Sequence, residues 1–270
     1  MRVTTVDMFG AAPGRGSTLD VLVPDGPCDD TALAAAAAHA KRRDADENAL
    51  VSDVSRAQRT FGSRIFNTDG ETPFATHSLA GVAACLVREH TLPTGEVGRA
   101  AEAGCQWLWT DGRTVRVPFD GPAVHQELPH DPEVFGSYEG IGHAGGVGRA
   151  FNFFRVSEDP RTLPAPDLDR MRELGITDFT LFRWDPDKHE VLARVFAPGF
   201  GLPEDAGCLP AAAALGATGL RYTDGDPAPV TVRQVTRRGN ESVFHCTGEI
   251  RDGQASVCVT SQVWVDRSAS

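Results

Sequence analysis

The chain has 270 residues, 41% of them hydrophobic, enough to bury a substantial core in one large or two smaller domains. A formal net charge of −11 and a pI near 5.2 argue against a broad phosphate-binding face, because nucleic-acid binders concentrate Lys and Arg on one surface; a small-molecule partner fits better. Six cysteines, Cys28, Cys85, Cys105, Cys208, Cys246 and Cys258, are scattered without a C-x-x-C pair, which suits reduced thiols better than a disulfide framework or a zinc site.

The start, Met1-Arg2-Val3-Thr4-Thr5-Val6-Asp7, carries no basic leader followed by an apolar core. No stretch approaches the roughly 18 uninterrupted apolar residues of a membrane span. A cytoplasmic location with no membrane partner is therefore expected. Gly14-Arg15-Gly16 precedes the β-like run Leu19-Asp20-Val21-Leu22-Val23, and an alanine-rich helix with a basic end is predicted from Thr31 to Arg43. Arg64-Ile65-Phe66 reads as a strand. A Gly/Pro turn and a helix of small apolar residues follow it, over Pro73-Phe74-Ala75-Thr76-His77-Ser78-Leu79-Ala80-Gly81-Val82-Ala83-Ala84. The Pro-, His- and acid-rich stretch from Asp120 to Glu139 is the predicted hinge, which gives half-domains over 1–125 and 126–270.

Gly140-Ile141-Gly142-His143-Ala144-Gly145 matches G-x-G-x-x-G. No apolar strand precedes it, however, and the β-like Phe151-Asn152-Phe153-Phe154 follows where a helix is needed, so a dinucleotide site is rejected. A short amphipathic helix is predicted from Asp167 to Leu174. Strands are predicted at Val191–Phe196, Pro229–Val235, Ser242–Cys246 and Ala255–Val259 by alternation and β-branching.

The chain echoes itself. Arg194-Val195-Phe196, then Ala197-Pro198-Gly199, then Cys208-Leu209-Pro210-Ala211-Ala212-Ala213-Ala214-Leu215-Gly216 repeats the strand, turn and apolar helix of the first half. Gly146-Val147-Gly148 before Phe151 repeats Gly14-Arg15-Gly16 before Leu19, at an offset of 132 residues, against 130 for the R-[IV]-F strands. A duplicated half-domain explains the agreement. Helices with no charged face are the mark of full burial, so each half is expected to wrap a central helix in an α+β fold with antiparallel sheet.

Thr76-His77-Ser78 and Cys208 with its neighbours stand at the starts of the two apolar helices, where unpaired N–H groups and the helix dipole favour an anion such as a carboxylate. They can equally be capped helix ends. His77 is either a proton relay or a hydrogen-bonded core histidine. Asp205 is either an ordinary cap or a carboxylate that exchanges protons with a substrate.

Val6-Asp7-Met8-Phe9, Arg64-Ile65-Phe66 to Pro73-Phe74-Ala75-Thr76-His77, and Phe196-Ala197-Pro198-Gly199-Phe200-Gly201-Leu202-Pro203-Glu204-Asp205 together resemble the signature blocks of the PhzF-type isomerases, in order and spacing over about three-quarters of the chain. The resemblance implies a diaminopimelate-epimerase-like fold: two β-barrel-like half-domains around central helices, with the active site in the cleft between them, homodimerisation, and no metal or organic cofactor. It further implies acid–base removal and return of a proton on a small carboxylate, with a shift of a double bond, and natural-product substrates such as alkylproline-type precursors. His77 and Asp205 match positions that the family uses around its substrate.

There are departures from the family pattern. Where the family carries its acid/base glutamate in a Ser-Glu-Thr-Thr-Phe block, Ala57-Gln58-Arg59-Thr60-Phe61 is taken as the counterpart, and an amide does not titrate near neutrality. Thr76 replaces a glycine, and Cys208-Leu209-Pro210 replaces Thr-Gly-Ser. On this reading His77 and Asp205 are the proton-transfer pair, and Gln58, Thr76, Ser78 and Leu209 hold the substrate. Cys208 matches the place where distant cysteine-dependent epimerases and racemases carry a catalytic thiol at a helix start, but Thr76 and His77 stand where the partner cysteine belongs, so Cys208 is either a catalytic or a structural thiol. The rival readings are hydrolysis of a carbon–carbon or amide bond by Cys208 or Asp205, and carboxylate binding without catalysis.

Overall fold

The computed structural model describes all residues except 43–44, 69, 73–75, 102–103, 224–227 and 266–270, and the side chains of Thr76 and His77 are likewise outside the description. The chain divides into two compact units, Met1–Val117 with Ser261–Ser270, and Pro118–Thr260.

The first unit contains β1 (Arg2–Met8), β2 (Ser17–Val23), α1 (Asp30–Ala40), β3 (Glu47–Ser55), β4 (Thr60–Asn67), β5 (Gly70–Thr72), α2 (Thr76–Arg88), β6 (Gly95–Ala101), β7 (Gly104–Thr110) and the start of β8 (Thr114–Glu127). The second contains the rest of β8, α3 (Pro132–Phe135), β9 (Gly140–Val147), β10 (Arg149–Val156), α4 (Leu168–Glu173), β11 (Phe179–Asp185), β12 (Glu190–Ala197), β13 (Leu202–Asp205), α5 (Leu209–Tyr222), β14 (Val230–Val235), β15 (Glu241–Arg251) and most of β16 (Gln254–Val265). The start of β16 pairs with β15 as far as Thr260 opposite His245. Its end, Val263 to Val265, pairs with Met8 to Val6 of β1. The second unit therefore closes at Thr260 rather than running to the C-terminus, and the other crossing falls inside β8, upstream of the expected hinge.

The duplication read from the sequence is written into the strand ladder. In the first unit β1–β2 is antiparallel, β2–β3 parallel, β3–β4 and β4–β5 antiparallel, β4–β6 parallel and β6–β7 antiparallel. The second unit repeats this step for step: β9–β10 antiparallel, β10–β11 parallel, β11–β12 and β12–β13 antiparallel, β12–β14 parallel, β14–β15 antiparallel. The sheet is thus mixed rather than purely antiparallel. Strands that flank a helix crossover align parallel, as such connections require. Each unit is an α+β layer of sheet over a buried helix, and the strand order does not make a true barrel, which corrects the barrel-like expectation.

Local chemistry explains the elements. Asp29 caps α1 by accepting the Ala32 N–H at 3.0 Å, and Asp167 caps α4 by accepting the Arg170 N–H at 2.9 Å. The central helices α2 and α5 are small and apolar because the sheet lies directly on them. A Cβ on Gly81 of α2 would sit 2.6 Å from Leu19 Cδ2, and one on Gly216 of α5 would sit 2.5 Å from Cys246 Cβ. Gly140 to Gly145 lies in β9 and is followed by β10, not by a helix, in keeping with the rejected dinucleotide site. Among the described residues no helix is long and apolar enough to cross a membrane.

Candidate functional site

In the first unit the parallel register sets Glu47, the first residue of β3, beside Leu19 of β2. Glu47 is 3% exposed, and its carboxylate accepts a hydrogen bond from Ser78 Oγ in the first turn of α2. Taking a carboxylate out of water costs several kcal/mol unless it is paired and hydrogen-bonded. The start of a helix, with its unpaired N–H groups and positive dipole end, is a natural place to hold one. Asp46, one residue earlier, accepts the Thr18 N–H at 2.9 Å and the Ser17 hydroxyl at 3.1 Å, fixing the head of β3 against the head of β2.

The second unit carries a parallel construction. Asp178 stands 132 residues after Asp46, the offset of the glycine pairs, immediately before β11. It accepts the Asn152 N–H of β10 at 3.0 Å and the Thr177 hydroxyl at 2.8 Å, with Arg149 Nη2 at 3.5 Å. Burial raises its carboxyl above the ordinary carboxylate range, against the lowering effect of these partners.

Asp205 ends β13, is 4% exposed, and accepts the Gly207 N–H at 2.8 Å. Cys208 is the N-cap of α5 without a side-chain cap bond. Gln234 of β14, wholly buried, clamps its backbone: the Cys208 N–H donates to Gln234 Oε1 at 2.7 Å, and Gln234 Nε2 donates to the Cys208 carbonyl at 2.8 Å. A helix start ordinarily lowers a thiol pKa. Here burial, then the charge of Asp205, push the Cys208 thiol well up; the Ala211 N–H opposes them, and Asp178 and a hydrogen bond to Asp205 add to the rise. The resting sulfur is a thiol, not a thiolate.

Of the residues singled out in the sequence, the fold brings Asp205 and Cys208 together and places Ser78 on Glu47. Leu209 is fully buried in the core. Gln58 lies exposed in the turn between β3 and β4, where its N–H donates to Ser55 Oγ at 3.3 Å. The side chains of Thr76 and His77 lie outside the described residues. Glu47, Asp178 and Gln234 escape the sequence reading, although each is a polar residue inside or beside an apolar β run. Among the described residues no cluster of His, Cys, Asp and Glu could hold a metal ion.

No family model and no curated protein matches the sequence. The fold does have solved counterparts. A phenazine-biosynthesis PhzC/PhzF protein from Clostridium difficile superposes with a TM-score of 0.79 at 14% identity, covering 98% of both chains. A PhzF-family protein from Enterococcus faecalis gives 0.76 at 16%, again over 98% of both chains. A predicted epimerase from Pseudomonas aeruginosa gives 0.70 at 22%, over 98% of this chain and 97% of its own. The fold is of the PhzF and diaminopimelate-epimerase type, and at these identities the likeness is one of fold.

Proposed function

We propose that the chain is a cofactor-independent isomerase that moves a proton, and with it a double bond, in a small unsaturated carboxylate of natural-product biosynthesis, such as an alkylproline-type precursor. The observation that carries the proposal is Glu47, a carboxylate held out of water at the head of β3 against the first turn of α2. Asp46-Glu47-Asn48-Ala49-Leu50 puts an acid second and an apolar residue fifth, as Ser-Glu-Thr-Thr-Phe does. The place of the family block's acid therefore passes from Gln58, which was expected only to hold the substrate, to Glu47, and the reason for supposing lost catalysis goes with it.

In the proposed step Glu47 takes a proton from carbon. The C–H electron pair becomes a new double bond, the electrons of the old one capture a proton at the far carbon, and the carboxylate is regenerated. Asp205 is the second acid–base group, and His77 a relay beside Ser78. Cys208, held as a thiol, gives no support to nucleophilic hydrolysis.

The test is solvent deuterium incorporation in D2O, followed by NMR over a panel of pyrroline and cyclohexadiene carboxylates. Glu47→Gln should slow incorporation on the order of 100-fold or more, while Gln58→Ala leaves it unchanged. Wild-type incorporation by Glu47→Gln would defeat the assignment. A double-mutant comparison of Glu47→Gln with Asp205→Asn reads out whether both act on one substrate.

A further inference from the structure

The second unit contains a cavity of about 210 Å3 lined by His125, Glu127, Ile141, His143, Arg155 and Tyr222. It lies at the far end of α5 from Cys208. Tyr222 closes that helix, about 20 Å along its axis at 1.5 Å per residue, so the cavity is separate from the Asp205–Cys208 group.

The sheet places these residues on one face. Glu127 of β8 is directly opposite His143 of β9, and Ile141 of β9 is directly opposite Arg155 of β10; His125, two residues from Glu127, shares its face. His143 is 3% exposed, edge-on to Phe153 and Phe182 at ring separations of 5.6 and 5.5 Å, with the His125 ring at 5.4 Å. Burial first, then the charges of His125 and Arg155, hold it down to about 4, so it is a neutral imidazole at pH 7. Among the described residues its buried Nε2 has no hydrogen-bond partner, and an unpaired buried polar atom favours a ligand that pairs it. Arg155 lies over the Tyr222 ring at 5.3 Å, and among the described residues it makes no ion pair.

We infer that this cavity is a second small-molecule site, taking a zwitterionic amino or imino acid whose carboxylate meets Arg155, whose ammonium meets Glu127, and whose remaining N–H or O–H satisfies His143 Nε2. A plain carboxylate would be repelled by Glu127 and a plain amine by Arg155; only a ligand carrying both charges suits both walls. The volume suits a molecule of about ten heavy atoms or fewer, well below the ~300 Å3 of drug-sized pockets.

The experiment follows the imidazole 15N and 1H signals of the full chain while L-alanine or L-proline is added, with propionate and propylamine as single-charge controls. The expected result is that both zwitterions shift the His143 and His125 signals. Apparent affinity should fall about tenfold or more in Arg155→Gln and in His143→Phe, which keeps an aromatic ring in the core, and stay unchanged in Glu47→Gln. Unmoved imidazole signals would overturn the proposal. So would equal binding of propionate, or binding that survives Arg155→Gln and vanishes in Glu47→Gln.

Discussion

Replacing Gln234 by leucine removes the amide that holds the start of α5. The change keeps the side chain apolar-compatible and of similar bulk, so the cost arises from two hydrogen bonds, at 2.7 and 2.8 Å to the Cys208 N–H and carbonyl. The carbonyl retains the Ala212 N–H at 2.9 Å, whereas the Cys208 N–H loses its acceptor. A lost net hydrogen bond costs about 1 kcal/mol and an orphaned buried N–H about 1–3. Cys208 is only partly buried, so water recovers part of this, and the expected destabilisation is about 2 kcal/mol. With a urea m-value of about 2 kcal/mol/M the midpoint falls by about 1 M at unchanged m. Faster labelling of Cys208 than of buried Cys246 would place the loosening at the helix start. A midpoint within about 0.2 M of wild type would refute the idea that the clamp stabilises this end of α5.

Asp205→Asn removes the charge that, after burial, does most to keep the Cys208 proton in place; the pH midpoint of thiol alkylation should move down, and an unmoved midpoint would separate the two side chains. Gly216→Leu forces a side chain into Cys246, where even a Cβ would come within 2.5 Å. It should cost about 3 kcal/mol in a denaturant titration, and a loss under about 1 kcal/mol would show that sheet and helix are not in direct contact there. His143 supplies a pH dependence. Its folded pKa of about 4 lies below the unfolded value of about 6.5, so as pH falls below 6.5 the unfolded chain takes the proton first. The stability due to neutral His143 is therefore complete above pH ~6.5 and is lost progressively towards pH ~4, about 3 kcal/mol in all. Urea midpoints from pH 7 to 5, where few carboxylates titrate, should decline in the wild type and stay flatter in His143→Phe; equal slopes would assign the decline to other groups.

The duplication was legible because it is carried by residue types the backbone requires locally. These are the glycine pairs before β2 and in the β9–β10 turn, the R-[IV]-F strands β4 and β12, and the charge-free helices α2 and α5, on which the sheet leaves no room for larger side chains. Their nearly equal offsets imply two copies of one ladder, and the ladder is there, parallel steps included. The parallel steps themselves were not legible. β2 with β3 and β4 with β6 are joined across intervening helices, and nothing in a strand's own alternation names the partner it meets after a crossover. For the same reason the last strand divides: β16 reads as a single β run, yet one end serves β15 and the other β1.

The proposed site keeps the helix starts read from the sequence and moves the family block's acid to Glu47, and that move has a physical source. Anchoring the family block on Phe61 matches an aromatic residue, which any buried strand can supply, and accepts an amide in the position where the chemistry needs a group that titrates. Anchoring on the acid selects Glu47, which follows α1 and opens a strand buried from its first residue. A carboxylate at such a position carries a desolvation cost that an apolar residue would not. The same reasoning extends to Asp178 and Gln234, polar groups set against β runs whose alternation calls for apolar ones. Of these three, Gln234 clamps Cys208 at the start of α5, Asp178 acts on its thiol through charge, and Glu47 meets Ser78 at the start of α2. In this fold the exceptions to the hydrophobic pattern mark the two helix starts more reliably than the residues of the helices do, because a buried polar side chain persists only where a specific partner offsets its loss of water.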